Sequence, residues 1–201
     1  HWGWNFLRWF YNRSQATFVP TNNVRNQLLE KDFHNVKLWK RGIDTDKFSP
    51  GFRDPSLRES VGATDVPLLL FVGRLVKEKD LDDLVQANSI LQQNNHKYKL
   101  ALVGDGPMKP ELQEKLPDAI FPGFQHGQDL AKWYASSDMF VFPSTTETFG
   151  NVIQEAFASA IPVVGVKAGG VSDLITHGTT GLFARPKDPV DFADKIMMLL
   201  N

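Results

Sequence analysis

The sequence predicts an α/β protein built around a doubly wound parallel sheet. From Pro67 onward, short apolar runs rich in β-forming residues alternate with amphipathic stretches of helical length. Continuous apolar runs are typical of strands that are buried on both faces of a parallel sheet. Glycine and polar residues follow several of these runs, and ligands of such sheets bind beyond the carboxyl ends of the strands. The sequence therefore also predicts which edge of the sheet carries a site.

The predicted elements follow a regular order. Strands and helices alternate as Leu68–Val72, Leu81–Gln93, Lys99–Val103, Lys109–Lys115, Ala119–Phe121, Gln128–Ser136, Met139–Phe142, Val152–Ser159 and Pro162–Val166. Crossover helices of this length are what a doubly wound sheet requires. The residues predicted to lie at the carboxyl edge are Gly73-Arg74, Gly104–Pro107, Gly123-Phe124 and Pro143–Gly150.

The first fifty residues have a different organisation. They predict a helix, a strand, a second helix, a second strand and a loop, at Trp4–Asn12, Ala16–Val19, Asn22–Lys31, Val36–Trp39 and Arg41–Pro50. Glycine and proline punctuate the chain between Arg41 and Pro67, which is the predicted boundary between two parts. The chain begins with His and ends inside a helical pattern, which we interpret as truncation at both ends.

The composition excludes several classes of function. The 201 residues are 42% hydrophobic and 22% charged, which is typical of a globular protein. The 23 acidic and 22 basic residues leave no positive excess, so no nucleic-acid partner is expected and any anion site must be local. Cysteine is absent and the five histidines lack metal-ligand spacing, so no metal site is predicted. The longest apolar runs are far shorter than the roughly 20 residues that cross a bilayer.

The sharpest functional signal is a pair of carboxylates, Glu147 and Glu155, with seven residues between them. If a helix begins near Gly150, the backbone N–H groups of residues 150–152 form a positive end that can hold a phosphate or a sugar. Carboxylates beside that end are strong acceptors for the paired hydroxyls of a sugar or ribose. The alternative is structural, with Glu147 capping the helix and Glu155 solvated on it. Spacing alone leaves both interpretations open.

Four segments, taken in order, resemble the family 4 type of retaining glycosyltransferases, which have the two-domain GT-B architecture. They resemble that family's phosphate-binding loop, a later strand-end turn, its Glu-x7-Glu motif and a glycine-rich turn, at Phe71–Lys79, Leu102–Pro107, Ser144–Ala156 and Ala168–Asp173. Such an ordered set is far more specific than any single motif. Residues 36–50 also resemble the stretch that leads from the first domain of the family into the second.

The resemblance implies that this chain is the C-terminal, Rossmann-like half of a GT-B enzyme. Residues 1–45 would be the end of the N-terminal acceptor domain and the linker. Residues 46–201 would be the C-terminal nucleotide-sugar donor domain, truncated at its end. In the family, the first domain supplies the acceptor site and a catalytically important histidine. The isolated chain is therefore expected to bind donor weakly and to transfer nothing.

The resemblance also implies a role for each matched residue. Arg74 and Lys79 would bind the donor diphosphate, Glu147 the hydroxyls of the transferred sugar, and Glu155 the nucleotide ribose. The planar guanidinium of Arg74 and the compact ammonium of Lys79, placed after a strand, are suited to binding phosphate oxygens. The alternative is that both are ordinary basic residues of an exposed loop. Base recognition is expected near residues 123–125. The further donor contacts would come from Gly73, Phe124, Phe149, Gly150, Asn151 and Val152.

The activity implied by the resemblance is transfer of a sugar from a UDP- or GDP-sugar to a hydroxyl of a glycan or lipid, with retention of configuration. Arg74, Lys79 and Glu147 are the predicted catalytic residues, and positive charge near the leaving diphosphate would make a metal cofactor unnecessary. The predicted location is the cytoplasm, with peripheral contact at the inner membrane face through the missing domain left open. Two alternatives remain, namely a nucleotide-sugar epimerase of related architecture and a catalytically silent sugar-nucleotide-binding module.

Two further signals have structural interpretations. Asp80 and Asp82 have the Asp-x-Asp spacing that other glycosyltransferases use for a metal, but Asp80 opens a helix with Asp83 at its third position, which predicts an N-cap. The aromatic segment at residues 4–13 has the pattern of an interfacial membrane helix, but burial against missing chain is favoured. Asp80 and Asp173 stand where the resembling family often has glycine and glutamate.

Overall fold

The structure, a computed structural model, describes residues 2–39 and 42–200. Its strands are β1 (Thr17–Val19), β2 (Val36–Leu38), β3 (Leu68–Val72), β4 (Lys99–Val103), β5 (Ile120–Gly123), β6 (Met139–Phe142), β7 (Val163–Val166) and β8 (Gly181–Ala184). Its α-helices are α1 (Trp2–Tyr11), α2 (Asn22–Leu29), α3 (Pro55–Ser60), α4 (Leu81–Gln93), α5 (Lys109–Lys115), α6 (Gly127–Ser136), α7 (Asn151–Ala158) and α8 (Pro189–Leu200).

Six strands form the main sheet in the order β5-β4-β3-β6-β7-β8, and all neighbouring pairs are parallel. The chain moves outward from β3 to β5 and then returns to β6, on the other side of β3. This reversal of strand order confirms the predicted doubly wound sheet. A sheet of this kind opens a ligand crevice beyond the carboxyl ends of the strands at the reversal, here between β3 and β6.

The core of the main sheet is aromatic and aliphatic. All residues of β3 and β6 are buried, and Phe142 stacks on Phe71 and on Phe140 with ring centroids 6.1 and 5.8 Å apart. Each fully buried side chain of this size stabilises the fold by about 1.5–3 kcal/mol. Helix α4 packs against α8, and α6 packs against α3 and α7. The rigid core therefore fixes the strand ends from which the functional loops start.

The first part of the chain forms a small unit around the parallel pair β1-β2. Val19, Phe33 and Val36 make its core, with α2 packed against both strands. The aromatic helix lies at Trp2–Tyr11, and its large side chains are exposed. Its predicted burial against further chain stays a prediction. The loop predicted from Arg41 begins outside the described residues.

The two parts of the chain are joined by Asp173. Its carboxylate accepts the backbone N–H groups of Asn22 and Asn23, with distances of 2.5 and 3.3 Å to the two nitrogens. These are the first N–H groups of α2, where a negative charge is stabilising. In the sequence, Asp173 is notable only as a departure from the pattern of the resembling family, whereas in the structure it contacts the start of α2.

Two elements, α3 and β8, were not predicted, whereas α8 contains the helical pattern noted at the end of the sequence. Helix α3 is six residues long and depends on Asp54, whose side chain accepts the N–H groups of Ser56 and Leu57. Strand β8 begins with glycine and is four residues long, so its apolar pattern is weak.

Across the described ranges, no helix is both long enough and apolar enough to span a bilayer.

Candidate functional site

The loops that follow β3 and β6 meet at the reversal of strand order. Lys79 lies in a short 3-10 turn after β3, and Glu147 lies in the loop after β6. The Lys79 Nζ atom donates to Glu147 Oε2 at 2.8 Å, and the two side chains are only 15% and 20% exposed. The structure therefore brings together two residues that are 68 positions apart and that the resemblance assigned to different parts of a donor.

The second carboxylate oxygen of Glu147 lies at the beginning of α7. Glu147 Oε1 accepts the backbone N–H groups of Phe149 and Gly150, at 3.4 and 3.1 Å. Partial burial disfavours the charged carboxylate, but the hydrogen bond and charge of Lys79, together with these N–H groups, outweigh it and lower the pKa of Glu147. The carboxylate is thus held ionised. The capping interpretation is therefore partly correct, because the same oxygen stabilises the helix start.

Helix α7 begins at Asn151, which confirms the predicted start near Gly150. Gly150 has φ of 75°, and a Cβ atom there would lie 2.7 Å from Leu174 Cδ1. Conformation and packing therefore both require glycine. Among the described residues, the N–H groups of Asn151 and Val152 have no acceptor. The helix end thus keeps two donors that can bind an anion.

The glycine-rich turn after β7 supports the Glu147 loop from its backbone side. Gly170 N–H donates to the carbonyl oxygen of Glu147 at 2.7 Å. A Cβ atom on Gly169 would lie 2.4 Å from that oxygen, and one on Gly170 would lie 2.3 Å from the carbonyl oxygen of Thr148. Any side chain at these positions would displace the loop. The turn therefore holds the backbone of Glu147 in position.

A cavity of about 430 Å³ opens on the other side of the β3 loop. It brings together five of the predicted donor contacts, Gly73, Arg74, Phe124, Val152 and Glu155. Phe124 is 74% exposed at its mouth and stacks on the ring of His126 at 6.1 Å. Its size and its mixed aromatic and charged lining suit a small polar ligand with an aromatic group.

Glu155 lies in the wall of this cavity, one turn into α7. Burial raises its pKa, and neither the nearby Tyr134 hydroxyl nor the positive charge of Lys47 fully offsets that burial. Glu155 is half-buried and faces a cavity, so the alternative of a solvated helix residue is wrong. A carboxylate held in this way is an acceptor without a strong partner of its own.

The predicted donor contacts do not all share this cavity. The Arg74 guanidinium pairs with Glu78 and remains 73% exposed, whereas the Lys79 side chain is 15% exposed and pairs with Glu147. Glu147 lines a separate cavity of about 180 Å³, and Phe149 and Asn151 line another of about 340 Å³. The predicted site is therefore divided into a preformed ion pair and an open cavity.

The predicted N-cap role of Asp80 is wrong. Asp80 does occupy the position before α4, but it has φ of 55° and ψ of 35°, and its side chain makes no capping hydrogen bond. A capping side chain requires an extended backbone at this position, which the left-handed conformation does not provide. The carboxylate instead accepts the backbone N–H and the hydroxyl of Thr145 and pairs with Lys187.

Sequence reasoning missed three residues at the site, Lys47, Thr145 and Lys187. Lys47 lines the large cavity from the segment before β3, and Lys187 reaches the β3 turn from the loop after β8. Nothing in the local pattern of either segment distinguishes these lysines from surface residues. Thr145 lies in the segment that resembles the Glu-x7-Glu motif, and its hydroxyl could have been predicted to form a hydrogen bond at the site.

Comparison with known proteins identifies the family of the chain. Residues 66–201 match the family described as "Glycosyl transferases group 1". The chain is 38% identical over 194 residues to a GDP-mannose-dependent alpha-mannosyltransferase of Corynebacterium glutamicum, covering 96% of this chain and 45% of the relative. It is 34% identical over 208 residues to the sulfoquinovosyl transferase SQD2 of Arabidopsis thaliana, covering 98% and 40%. The chain thus spans less than half the length of these relatives.

Solved structures show the same fold. The Anabaena protein Alr3699/HepE, in complex with UDP, matches with a TM-score of 0.86 at 23% identity, over 97% of this chain and 57% of that one. Sucrose-phosphate synthase from Thermosynechococcus elongatus matches with a TM-score of 0.85 at 23% identity, over 98% and 52%. These matches confirm the predicted fold class, the Rossmann-like C-terminal half of the GT-B architecture. Together, the sequence match and the shared fold establish that this chain belongs to the group 1 glycosyltransferase family.

Proposed function

We propose that this chain binds the nucleoside diphosphate sugar donor of a retaining glycosyltransferase of the family 4 type, which transfers the sugar to a hydroxyl of a glycan or lipid. The observation that carries the proposal is the Lys79–Glu147 ion pair at the start of α7. It places a cation, an ionised carboxylate and a helix N-terminus together, beside the cavity that contains Glu155. Such a set can recognise a phosphate and a sugar at adjacent positions.

In this proposal the donor lies across both halves of the divided site. The base and ribose occupy the 430 Å³ cavity, against Phe124 and Glu155. The diphosphate reaches from Arg74 to the open N–H groups of α7, and the sugar hydroxyls bind Glu147. The Lys79 ammonium has three donors, so it can keep its bond to Glu147 while it contacts a phosphate oxygen.

The chemical task of this half of the enzyme is to stabilise the leaving group. During transfer, the bond from the anomeric carbon to the phosphate oxygen breaks, the acceptor oxygen bonds to the same carbon on the same face of the sugar, and the hydroxyl proton passes to the leaving diphosphate. Negative charge grows on the diphosphate as it leaves. Lys79, Arg74 and the end of α7 oppose that charge from fixed positions, which is usually the largest catalytic contribution. The proposal requires neither a metal ion nor a covalent protein nucleophile.

The names of related proteins support a nucleotide-sugar donor and leave two bases open. Mannosyltransferases of Corynebacterium glutamicum and Mycobacterium tuberculosis are named as GDP-mannose-dependent. The Anabaena protein that shares the fold was solved with UDP and with UDP-glucose. We therefore propose a UDP- or GDP-sugar as the donor. We also propose a cytoplasmic location, with any contact to the inner membrane face made by the preceding domain.

The proposed division of labour predicts that binding and transfer are separable. We assign residues 46–201 to donor binding and residues 1–45 to the end of the acceptor domain and the linker. All proposed donor contacts lie in the larger part. Holding an acceptor hydroxyl against the anomeric carbon contributes up to about 7–11 kcal/mol, and that orientation needs the opposite wall of the cleft. The isolated chain should bind a nucleoside diphosphate weakly and transfer no sugar.

The test is a calorimetric screen of UDP-, GDP- and ADP-sugars against the full-length protein, followed by product analysis with the donor that binds. We expect one donor to bind and its sugar to reach an acceptor with the anomeric configuration retained, as read from proton coupling constants. Binding without transfer to any acceptor would favour the silent module. Conversion of the free sugar nucleotide to an epimer would favour the epimerase. An inverted product would contradict the retaining assignment.

A further inference from the structure

We propose that Asp80 is a positioning residue that locks the turn carrying Lys79 against the loop carrying Glu147, so that the ion pair is aligned before a donor arrives. This inference rests on the proposed function. Asp80 lines none of the three cavities described above, so its effect on a donor would pass through the loops that it joins.

Asp80 is buried, and its carboxylate bonds to residues of two other loops. The residue is only 7% exposed, although it is charged and lies at a strand-end turn. One carboxylate oxygen accepts the backbone N–H of Thr145 at 2.8 Å and its hydroxyl at 2.6 Å. The other oxygen pairs with the Lys187 ammonium. One carboxylate thus joins the loops that follow β3, β6 and β8.

The ion pair at the site is one of three consecutive links between the same two segments. The Thr146 hydroxyl donates to the carbonyl oxygen of Glu78 at 2.8 Å. Lys79 pairs with Glu147, and Asp80 binds Thr145. Each residue from 78 to 80 therefore holds one residue from 145 to 147. The Asp80 link has the most bonds of the three, and it reaches a third loop as well.

The backbone conformation at position 80 does not require a carboxylate. The carboxylate of Asp80 therefore serves its contacts with Thr145 and Lys187. With φ of 55°, the position favours glycine, and Asp is among the few other residues that adopt this conformation. The capping role that usually explains Asp before a helix is absent here. Glycine at this position would relax the backbone and delete only the cross-link, so Asp80→Gly separates the two effects.

The first arm of the test needs no donor. Amide hydrogen exchange at Phe149 and Gly150 reports on Glu147, because these N–H groups donate to the Glu147 carboxylate and not to Asp80. We expect exchange at both amides to accelerate at least tenfold in Asp80→Gly. Asp80→Asn, which loses the charge that pairs with Lys187 and still accepts from Thr145, should give a smaller increase. Unchanged exchange at 149 and 150 in Asp80→Gly would overturn the proposal, even if Thr145 exchanged faster.

The matched control is Asp82→Asn, which removes an acidic residue from the first turn of the same helix. Asp82 is exposed and pairs with Lys115 at 3.4 Å, away from the Glu147 loop. It should leave exchange at Phe149 and Gly150 unchanged. Acceleration as large as in Asp80→Gly would show that any loss of charge in this helix loosens the loop, and would overturn the specific role of Asp80.

The second arm measures donor affinity by calorimetry with UDP-glucose and GDP-mannose as probes. Asp80→Gly should weaken whichever probe the wild type binds by about tenfold, and Asp82→Asn should not. Wild-type affinity in Asp80→Gly, despite faster exchange, would show that the lock does not position the donor contacts and would overturn the proposal. Failure of the wild type to bind either probe would count against the proposed function instead, and the exchange measurement would then decide the role of Asp80.

Discussion

Glu147 and Glu155 flank the start of the same helix, yet they occupy opposite physical environments. Glu147 is bonded through both oxygens, to Lys79 and to two backbone N–H groups, and its pKa is lowered. Glu155 lines an open cavity, and burial raises its pKa. The same residue type, in one short motif, thus has a lowered pKa at one position and a raised pKa at the other.

The difference shows how one loop and one helix can bind different parts of the same ligand. The Glu147 region is preformed by an ion pair and by hydrogen bonds, so the proposed binding of a sugar there would need little rearrangement. The Arg74 and Glu155 region is open, and Arg74 must exchange Glu78 for a phosphate. Preorganised charge contributes most where charge develops during the reaction. We therefore expect changes around Lys79 to have larger effects than changes around the cavity.

The largest effect is expected for Lys79→Met. The change removes a cation from the diphosphate and leaves the half-buried Glu147 without its charged partner. A charged hydrogen bond contributes about 1.5–3 kcal/mol, so affinity for the sugar nucleotide should fall about 10- to 150-fold. Calorimetry checks this, with the exposed Lys77→Met in the same turn as the control. An equal loss in both variants would mean that only overall charge matters.

A smaller effect is expected for Arg74→Met. Arg74 is exposed and already paired, so part of its gain on binding a phosphate is offset by the loss of Glu78. Nucleoside diphosphate affinity should fall about tenfold, near the lower value for a charged hydrogen bond, and affinity for the plain nucleoside should change less. Glu78→Gln, which frees Arg74, should bind the diphosphate at least as well as the wild type. Weaker binding by Glu78→Gln would contradict the exchange of partners.

The two carboxylates should also differ in their response to pH. If Glu155 binds the ribose as proposed, its ionised form accepts the hydroxyls, so nucleoside diphosphate affinity should fall as the pH drops through its raised pKa, above the ordinary value of 4.5. Glu147 stays ionised through that range, because its pKa is lowered. Glu155→Gln should therefore remove the pH dependence of binding from this range. A dependence that persisted in the variant would assign it to another group.

The smallest expected effect is on stability. The folded pKa of Glu155 is raised, so its contribution to stability is present below the unfolded value of 4.5 and is lost as the pH rises through the folded value. Glu155→Gln should slightly raise the free energy of unfolding at neutral pH and leave it unchanged at acid pH. Urea unfolding at the two pH values checks this. A destabilised variant at neutral pH would show that ionised Glu155 has a stabilising partner in the cavity.

The sequence predicts the fold better than it predicts the bonds within the site. The bounds of β3, β4, β6, α4 and α5 agree with the structure, because continuous apolar runs and helical periodicity determine them. Strand β8 was missed because it is short and contains glycine. The positions of Glu147 and Glu155 relative to α7 were also predicted, since a glycine before the apolar face marks the start of that helix.

The partners of the site residues could not be predicted in the same way. Lys79 and Glu147 come together only because β3 and β6 are neighbours in the sheet, which the order of elements alone does not show. The interpretation of Asp80 as a cap was wrong because its backbone is left-handed, and Asp is common before helices in the ordinary extended conformation. Local patterns report local structure, whereas these contacts depend on topology.

The most direct test of the divided site compares Glu147→Gln with Glu155→Gln by calorimetry, using a nucleoside diphosphate and the corresponding sugar nucleotide. The account predicts that Glu155→Gln weakens both ligands to a similar extent, because both carry the ribose. Glu147→Gln should leave the nucleoside diphosphate close to its wild-type affinity and weaken the sugar nucleotide by about tenfold, the value of one charged hydrogen bond. Equal loss of both ligands in Glu147→Gln would contradict the assignment of Glu147 to the sugar, and with it the division of the donor between the two regions.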